Sequence, residues 1–322
     1  PGKLYKDKEK ITFTEDLTLY AQWKEISYKI NYELNGGTNA EENPATFKKS
    51  DNVTLKEPTY EYFDFCGWYL TQDFAGESIT GWNVGEKTSD ITLYAKWTVK
   101  AENVVKAIEN LTEGTHNICV VGEIDETTVK NIGEALRSNE NAKVNLDLSE
   151  TTGLERIPYQ AFSKCSNLTN IEFPLSVTSI NDYAFRGCSS LVDIKIPTSV
   201  TRIGNWAFES CTSLTNIEIP SSIKDLHFSV FAYCTSLTNV KILEGLTYIP
   251  DYVFYECTSL TDIEIPETVT KIDKSVFYGC SNLTTVNYMG TIEQWKKIDI
   301  NEKENDSLLS AKIICTDGII NE

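Results

Sequence analysis

Nine cysteines and two histidines are the rarer side chains of this 322-residue chain whose spacing would betray nucleophilic or metal chemistry. Six of them, Cys165, Cys188, Cys211, Cys234, Cys257 and Cys280, fall 23 residues apart without a slip. A thiolate nucleophile needs a neighbouring base and an electropositive, partly exposed setting. Thiols repeated in one apolar phase offer neither. His116 and His227 lie far apart in the chain with no metal-ligand spacing, so both are expected to be solvated or turn histidines. No G-x-S-x-G, H-E-x-x-H, P-loop or G-x-G-x-x-G motif occurs. Paired carboxylates abound in so acidic a chain, and their presence argues nothing for glycoside hydrolysis. The expectation is a non-enzyme with no metal and no cofactor.

The elements that hold these cysteines follow the same beat. Phe162, Phe185, Phe208, Phe231, Phe254 and Phe277 each stand three residues before a repeat cysteine. Leu168, Leu191, Leu214, Leu237, Leu260 and Leu283 each stand three after. The unit reads A-F-x-x-C-x-x-L-x-x-I-x-I-P-x-x-V-x-x-I. L-x-x-I-x-I alternates as a short strand does. Pro174, Pro197, Pro220 and Pro266 end the strand, because proline cannot donate the next ladder hydrogen bond. A period of 23 residues falls in the leucine-rich-repeat range of roughly 20–29. One unit cannot cover its own apolar face, but stacked units bury a continuous core. The sheet is expected to be parallel, since each turn enters its strand in the same direction.

The repeat unit resembles the BspA-like leucine-rich repeat of bacterial surface antigens, and the motif spans 154–289. The fold expected is an α/β solenoid with an αβ N-terminal cap and a helical C-terminal cap. The N-terminal cap is assigned to 100–153. Val104, Val105, Ile108 and Leu111 have helical spacing, 117–121 reads as a strand, Val129, Ile132 and Leu136 mark a second amphipathic helix, and 144–148 reads as a strand. The C-terminal cap is assigned to 290–322, where Thr291-x-x-Gln294 reads as a capping box opening a short helix.

The first 99 residues differ. L-T-L-Y-A-Q-W at 17–23 returns as I-T-L-Y-A-K-W at 91–97. Tyr28, Ile30, Tyr32 and Leu34 alternate with polar residues, and Asn35-Gly36-Gly37 is a turn signal. With F-C-G-W-Y at 65–69, this stretch resembles the Listeria–Bacteroides repeat, also called the internalin B-repeat. The resemblance implies a small β-rich, β-grasp-like module over 24–99, with 1–23 as the tail of a preceding copy. Cys66 stands where that family usually has another residue. The chain starts at Pro1 without an initiator Met or a signal peptide and is expected to be a segment of a longer protein.

The net charge of −18 repels phosphate backbones and anionic lipid, so neither nucleic acid nor a polybasic membrane grip is expected. No apolar run approaches the roughly 18 residues that a spanning helix needs, so no membrane insertion is expected in this segment. The repeat thiols are expected to be free. Equivalent Cβ atoms on stacked strands stay about 4.8 Å apart, whereas a disulfide wants about 3.8 Å.

The candidate binding surface is the outward strand positions. One row holds Asn170, Asp193, Asn216, Asn239 and Asp262; the other holds Glu172, Lys195, Glu218, Lys241 and Glu264. The second row alternates in sign, so each neighbouring pair is expected to attract by roughly 0.2–1 kcal/mol. That pattern suits a ladder that merely satisfies itself, or a platform for a protein or glycan on a host or neighbouring cell. The resemblance implies an extracellular, monomeric surface protein that adheres through the solenoid, with the β-rich repeats as spacer and a role in virulence. An architectural envelope component without a ligand is the alternative.

Overall fold

The computed structural model describes Thr18 and residues 24–320. The preceding-copy reading of 1–23 therefore lies outside the described residues, Thr18 aside.

In the N-terminal module, the strand Ser27–Glu33 pairs antiparallel with Thr46–Lys48 and parallel with Ile91–Lys100. Ile91–Lys100 pairs on its other side, antiparallel, with Asp64–Tyr69. Ile30, Phe47, Trp68, Leu93, Ala95 and Trp97 close the core. Asn35 and Gly36 both take left-handed backbone (φ 50° and 101°), a conformation that Gly and Asn adopt with least strain.

The last strand of the module does not stop at the module's edge. Val99 and Lys100 pair parallel with Val120 and Val121 of the next strand, Gly114–Glu123. One eight-stranded sheet consequently runs from the module to the first repeat. Val99 is fully buried in the solenoid's own core.

Two helices cover the start of that core. α1 (Val104–Glu109) buries Val104, Ala107 and Ile108. α2 (Glu126–Ser138) buries Val129, Ile132 and Leu136, and Asp125 caps it by accepting from the Thr128 N–H at 2.7 Å. The strand Ala142–Asp147 then pairs parallel with Gly114–Glu123 and with the first repeat strand, Leu168–Glu172.

The repeats stack through three hydrogen-bonded ladders. The first is the expected parallel sheet, with Asn216–Ile219, Asn239–Ile242, Asp262–Ile265 and Thr285–Tyr288 in strict 23-residue register. The second is a set of two-residue strands on the return path, such as Ser179–Ile180 and Arg202–Ile203. The third runs through the A-F-x-x-C turn. There Phe185 N–H donates to Ala207 O at 2.7 Å and Phe208 N–H to Val230 O at 2.9 Å.

Each turn puts two residues in left-handed backbone, five before and one before its cysteine. In the first repeat these are Gln160 (φ 56°) and Lys164 (φ 62°); Gly187 and Gly279 hold the second position in their own repeats. An L-residue there costs about 1–2 kcal/mol, and glycine's extra chain entropy costs about 0.5–1. Lys164→Gly should therefore raise stability by about 0.5–1 kcal/mol. A lowered melting temperature would show that the Lys164 side chain does more than tolerate its site.

The first sheet is not continuous, contrary to expectation. Residues 191–196 keep Leu191, Ile194 and Ile196 buried but form no strand, touching their neighbours through Val192 N–H to Thr169 O at 3.2 Å and Thr215 N–H to Val192 O at 3.3 Å. The preceding strand carries a bulge between Leu168 and Asn170. A bulge adds twist and disrupts the ladder locally. The Thr169 hydroxyl is turned to Val144 O and the Asn145 side chain.

The C-terminal segment also differs from the helical plug read from sequence. The Thr291 capping box forms, but α3 (Ile292–Trp295) and α4 (Asp306–Ser310) are each about one turn long. Most of the closure comes from strands. Asp299–Ile300 extends the second ladder, Lys312–Cys315 extends the first, and Gly318–Ile320 folds back antiparallel. Backbone pairing with the last repeat satisfies more exposed ladder groups than a single helical turn could.

Candidate functional site

The repeat cysteines are all free, and the structure gives them a local task. The Cys188, Cys211, Cys234, Cys257 and Cys280 thiols donate to the carbonyl of the phenylalanine one turn back, at 3.0–3.3 Å. Cysteine is here a small apolar residue that also supplies a weak donor to a buried carbonyl. Burial holds the Cys188, Cys211 and Cys257 thiols well above the ordinary range and pushes Cys234 and Cys280 up to about 12. Burial thus disfavours the thiolate, the form in which a cysteine acts as nucleophile. Under denaturing, non-reducing conditions all nine thiols should titrate. In the native protein the exposed Cys66 should react first. A denatured count near three would mean disulfides.

His116 overturns its reading as a solvated or turn residue. It lies in a strand and is buried, with Nε2 donating to Thr112 O at 2.9 Å. That leaves Nδ1 to face the Tyr60 hydroxyl at 3.5 Å, a contact between module and cap. His227 is half-buried, with Nε2 at 3.0 Å from Asp225 Oδ2 and 3.1 Å from Arg202 Nε. Among the described residues, no group of three or more His, Cys, Asp or Glu side chains could hold a metal ion.

The candidate rows split. Asn216, Asn239 and Asp262 stand in register, as do Glu218, Lys241 and Glu264. Lys241 Nζ lies 3.9 Å from Glu264 Oε1. Asp193 and Lys195 sit in the 191–196 segment, outside any paired strand. The continuous alternation of charge expected from Glu172 through Lys195 to Glu218 is thus broken, because the register that would align those side chains is absent.

Asn170 and Glu172 join the other half of the sheet. Asn170 aligns with Asn145, which aligns with Asn117; Glu172 aligns with Asp147, which aligns with Cys119. The Asn145 amide donates to Asn117 Oδ1 at 2.7 Å. The rows therefore begin two strands earlier than the repeat motif does. The signal is present in the sequence: N-I-C at 117–119 and N-L-D at 145–147 share the outward-inward-outward order of N-I-E at 170–172.

A cleft of about 470 Å³ opens at this end of the rows. The cap and first repeat line one side with the Asn117, Cys119, Asp147 and Glu172 positions; the module lines the other with Asn35, Phe74, Lys96 and Trp97. Burial pushes the Cys119 thiol up to about 12, and the negative charge of the Asp147 carboxylate, which accepts a hydrogen bond from the thiol, adds to the shift. Lys96 Nζ lies 5.8 Å from the ring centroids of both Tyr69 and Phe74.

The stacked parallel turns define a leucine-rich-repeat solenoid. Residues 155–284 match the BspA type leucine rich repeat region in six copies, and residues 28–96 match the Listeria–Bacteroides repeat domain. The chain therefore carries a BspA type leucine-rich-repeat region preceded by a Listeria–Bacteroides repeat domain. Two proteins of Evansella cellulosilytica are similar to it. One, named provisionally as a membrane protein, is 34% identical over 98 residues, covering 30% of this chain and 14% of its own length. The other, named provisionally as a Gly-rich membrane protein, is 33% identical over 104 residues, covering 30% and 11%. The chain thus matches a small part of each relative's length. Among solved structures, the leucine-rich-repeat protein TpLRR of T. pallidum is 23% identical, covers 71% of this chain and 91% of its own, and has a TM-score of 0.42. A leucine-rich-repeat protein of Bacteroides ovatus is 25% identical, covers 62% and 60%, and has a TM-score of 0.33. Among the described residues, no helix is long and apolar enough to cross a membrane.

Proposed function

We propose that this chain is the interaction part of a bacterial cell-surface protein, binding a partner on a host or neighbouring cell through the outward rows of its parallel sheet. The observation that carries this reading is the pair of in-register polar stretches, two side chains wide, on either side of the unpaired segment 191–196, the first of which opens into a cleft. The leucine-rich-repeat family supports a binding role rather than a catalytic one, and both repeat types are typical of cell-surface proteins. Adhesion is the role we assign, with the chain acting as a monomer. For the N-terminal module we keep the β-grasp-like reading, supported by the parallel pairing of its first and last strands between antiparallel neighbours. The Lys241–Glu264 contact favours the second reading, an architectural component whose surface charges satisfy one another.

Glu218→Lys separates the two. It sets a lysine in register with Lys241. One exposed like-charge contact should cost at most about 1 kcal/mol of stability. Binding should fall much further, because interface energy concentrates in a few central residues. The measurement is adhesion to immobilised matrix proteins, glycans and cells, set beside chemical unfolding in the same buffer. Unchanged adhesion with slightly lowered stability would make the face structural.

A further inference from the structure

The module and the solenoid share more than a linker. They share a strand, Ile91–Lys100, and its pairing with Gly114–Glu123 fixes the module over the first outward rows. The cleft between them has walls from both parts, so neither part alone contains it.

Its free polar groups are of two kinds. The Asn170 amide has no hydrogen-bond partner among the described residues, and Asn117 uses only its oxygen. Lys96 adds an ammonium group. These supply donors. The Glu172 and Glu150 side chains line the same cleft, and their carboxylates have no hydrogen-bond or ion-pair partner among the described residues; they supply acceptors. A guanidinium or ammonium ligand donates only, so it would leave the amide N–H groups and Lys96 unanswered. An anionic ligand would meet the carboxylates. Hydroxyl groups donate and accept, and an array of them on one ring can answer both kinds at once.

One wall is aromatic. Phe74 is half-buried and sits in left-handed backbone (φ 57°), a conformation that a bulky residue adopts at a cost. Its ring packs edge-on to Tyr69 at 5.5 Å. A ring beside hydrogen-bonding amides and carboxylates suits a molecule with an apolar C–H face and a hydroxylated rim. The cleft's volume of about 470 Å³ is within the usual range of roughly 300–1,000 Å³ for small-molecule sites.

We infer that the cleft between the module and the first rows binds a neutral saccharide unit, with the Asn117 and Asn170 amides and the Glu150 and Glu172 carboxylates on its hydroxyls and Phe74 against its ring face. This rests on reading the sheet face as a binding surface and names its ligand class. It also makes the module a wall of the site, beyond its role as spacer.

The test uses the whole chain. Calorimetric titration is run with neutral glucose, galactose and N-acetylglucosamine oligosaccharides, a sulfated heparin fragment and an oligo-arginine peptide. At least one neutral oligosaccharide should bind saturably and the heparin fragment should not. Asn170→Ala and Phe74→Leu should each weaken that binding about tenfold or more. The Asn170 side chain makes no hydrogen bond among the described residues, its backbone pairing does not depend on the amide, and Leu keeps apolar bulk at 74, so both variants should fold, as circular dichroism would verify. Binding of oligo-arginine alone, of no ligand at all, or of a saccharide with both variants unaffected would overturn the inference. If cell adhesion then still falls with Glu218→Lys, the face reading stands and only the cleft assignment fails. If adhesion ignores all three variants, the face reading fails as well.

Discussion

Phe208→Ala should lower the unfolding free energy by about 3–5 kcal/mol. Phe208 is fully buried and lies in a column of rings, 5.2 Å from Phe185 at an interplanar angle of 4° and 5.4 Å from Phe231 at 6°. Removing the ring deletes its own transfer term and strips two neighbours of a stacking partner. The backbone cannot close the gap, because Phe208 N–H and the neighbouring turns are tied in the third ladder. The repeats couple only to nearest neighbours, so the loss sits in the middle of the stack, where both interfaces depend on it. Guanidinium unfolding followed by circular dichroism measures it. A loss below about 1 kcal/mol would mean that the site relaxes far more than close packing allows.

Gly133→Ala should destabilise by about 2 kcal/mol, although helix propensity by itself predicts a gain of about 1. Gly133 lies inside α2, and a Cβ built there would stand 1.8 Å from Ala161 O. That atom is backbone of the first repeat turn and cannot swing aside. The same contact zone holds α2 in place. Cys165 Sγ donates to Gly133 O at 3.3 Å, and Arg137 Nη1 donates to Ser163 O at 3.0 Å. An added methyl must lift the helix off the solenoid and stretch these bonds. The sign is the test: a more stable Ala variant in the same unfolding assay would mean that α2 does not approach the first repeat this closely.

These two positions show what was legible in the chain. Phe208 could be placed in the core from sequence, because six phenylalanines in one phase can only point inward together. Gly133 could not. Its purpose appears only when the Ala161 carbonyl is brought against it. The same holds for the candidate surface. The repeat motif located Asn216, Asn239 and Glu218 because alternation is a local property of one strand. It missed Asn117 and Asn145, which lie on strands of another motif and enter the rows through pairing alone.

What the sequence by itself determined is whatever a period can encode: the 23-residue turn, the inward Phe, Cys, Leu and Ile sets, the free thiols and the parallel direction of the sheet. Each repeats six times, so apolar burial and strand alternation agree at every copy. Tertiary structure decided the rest. The bulge beside Thr169, the unpaired segment 191–196, the strand shared by module and cap, and the cleft between them depend on register between segments distant in the chain. No local pattern carries that register, because it is set by which backbone groups find partners once the layers have packed.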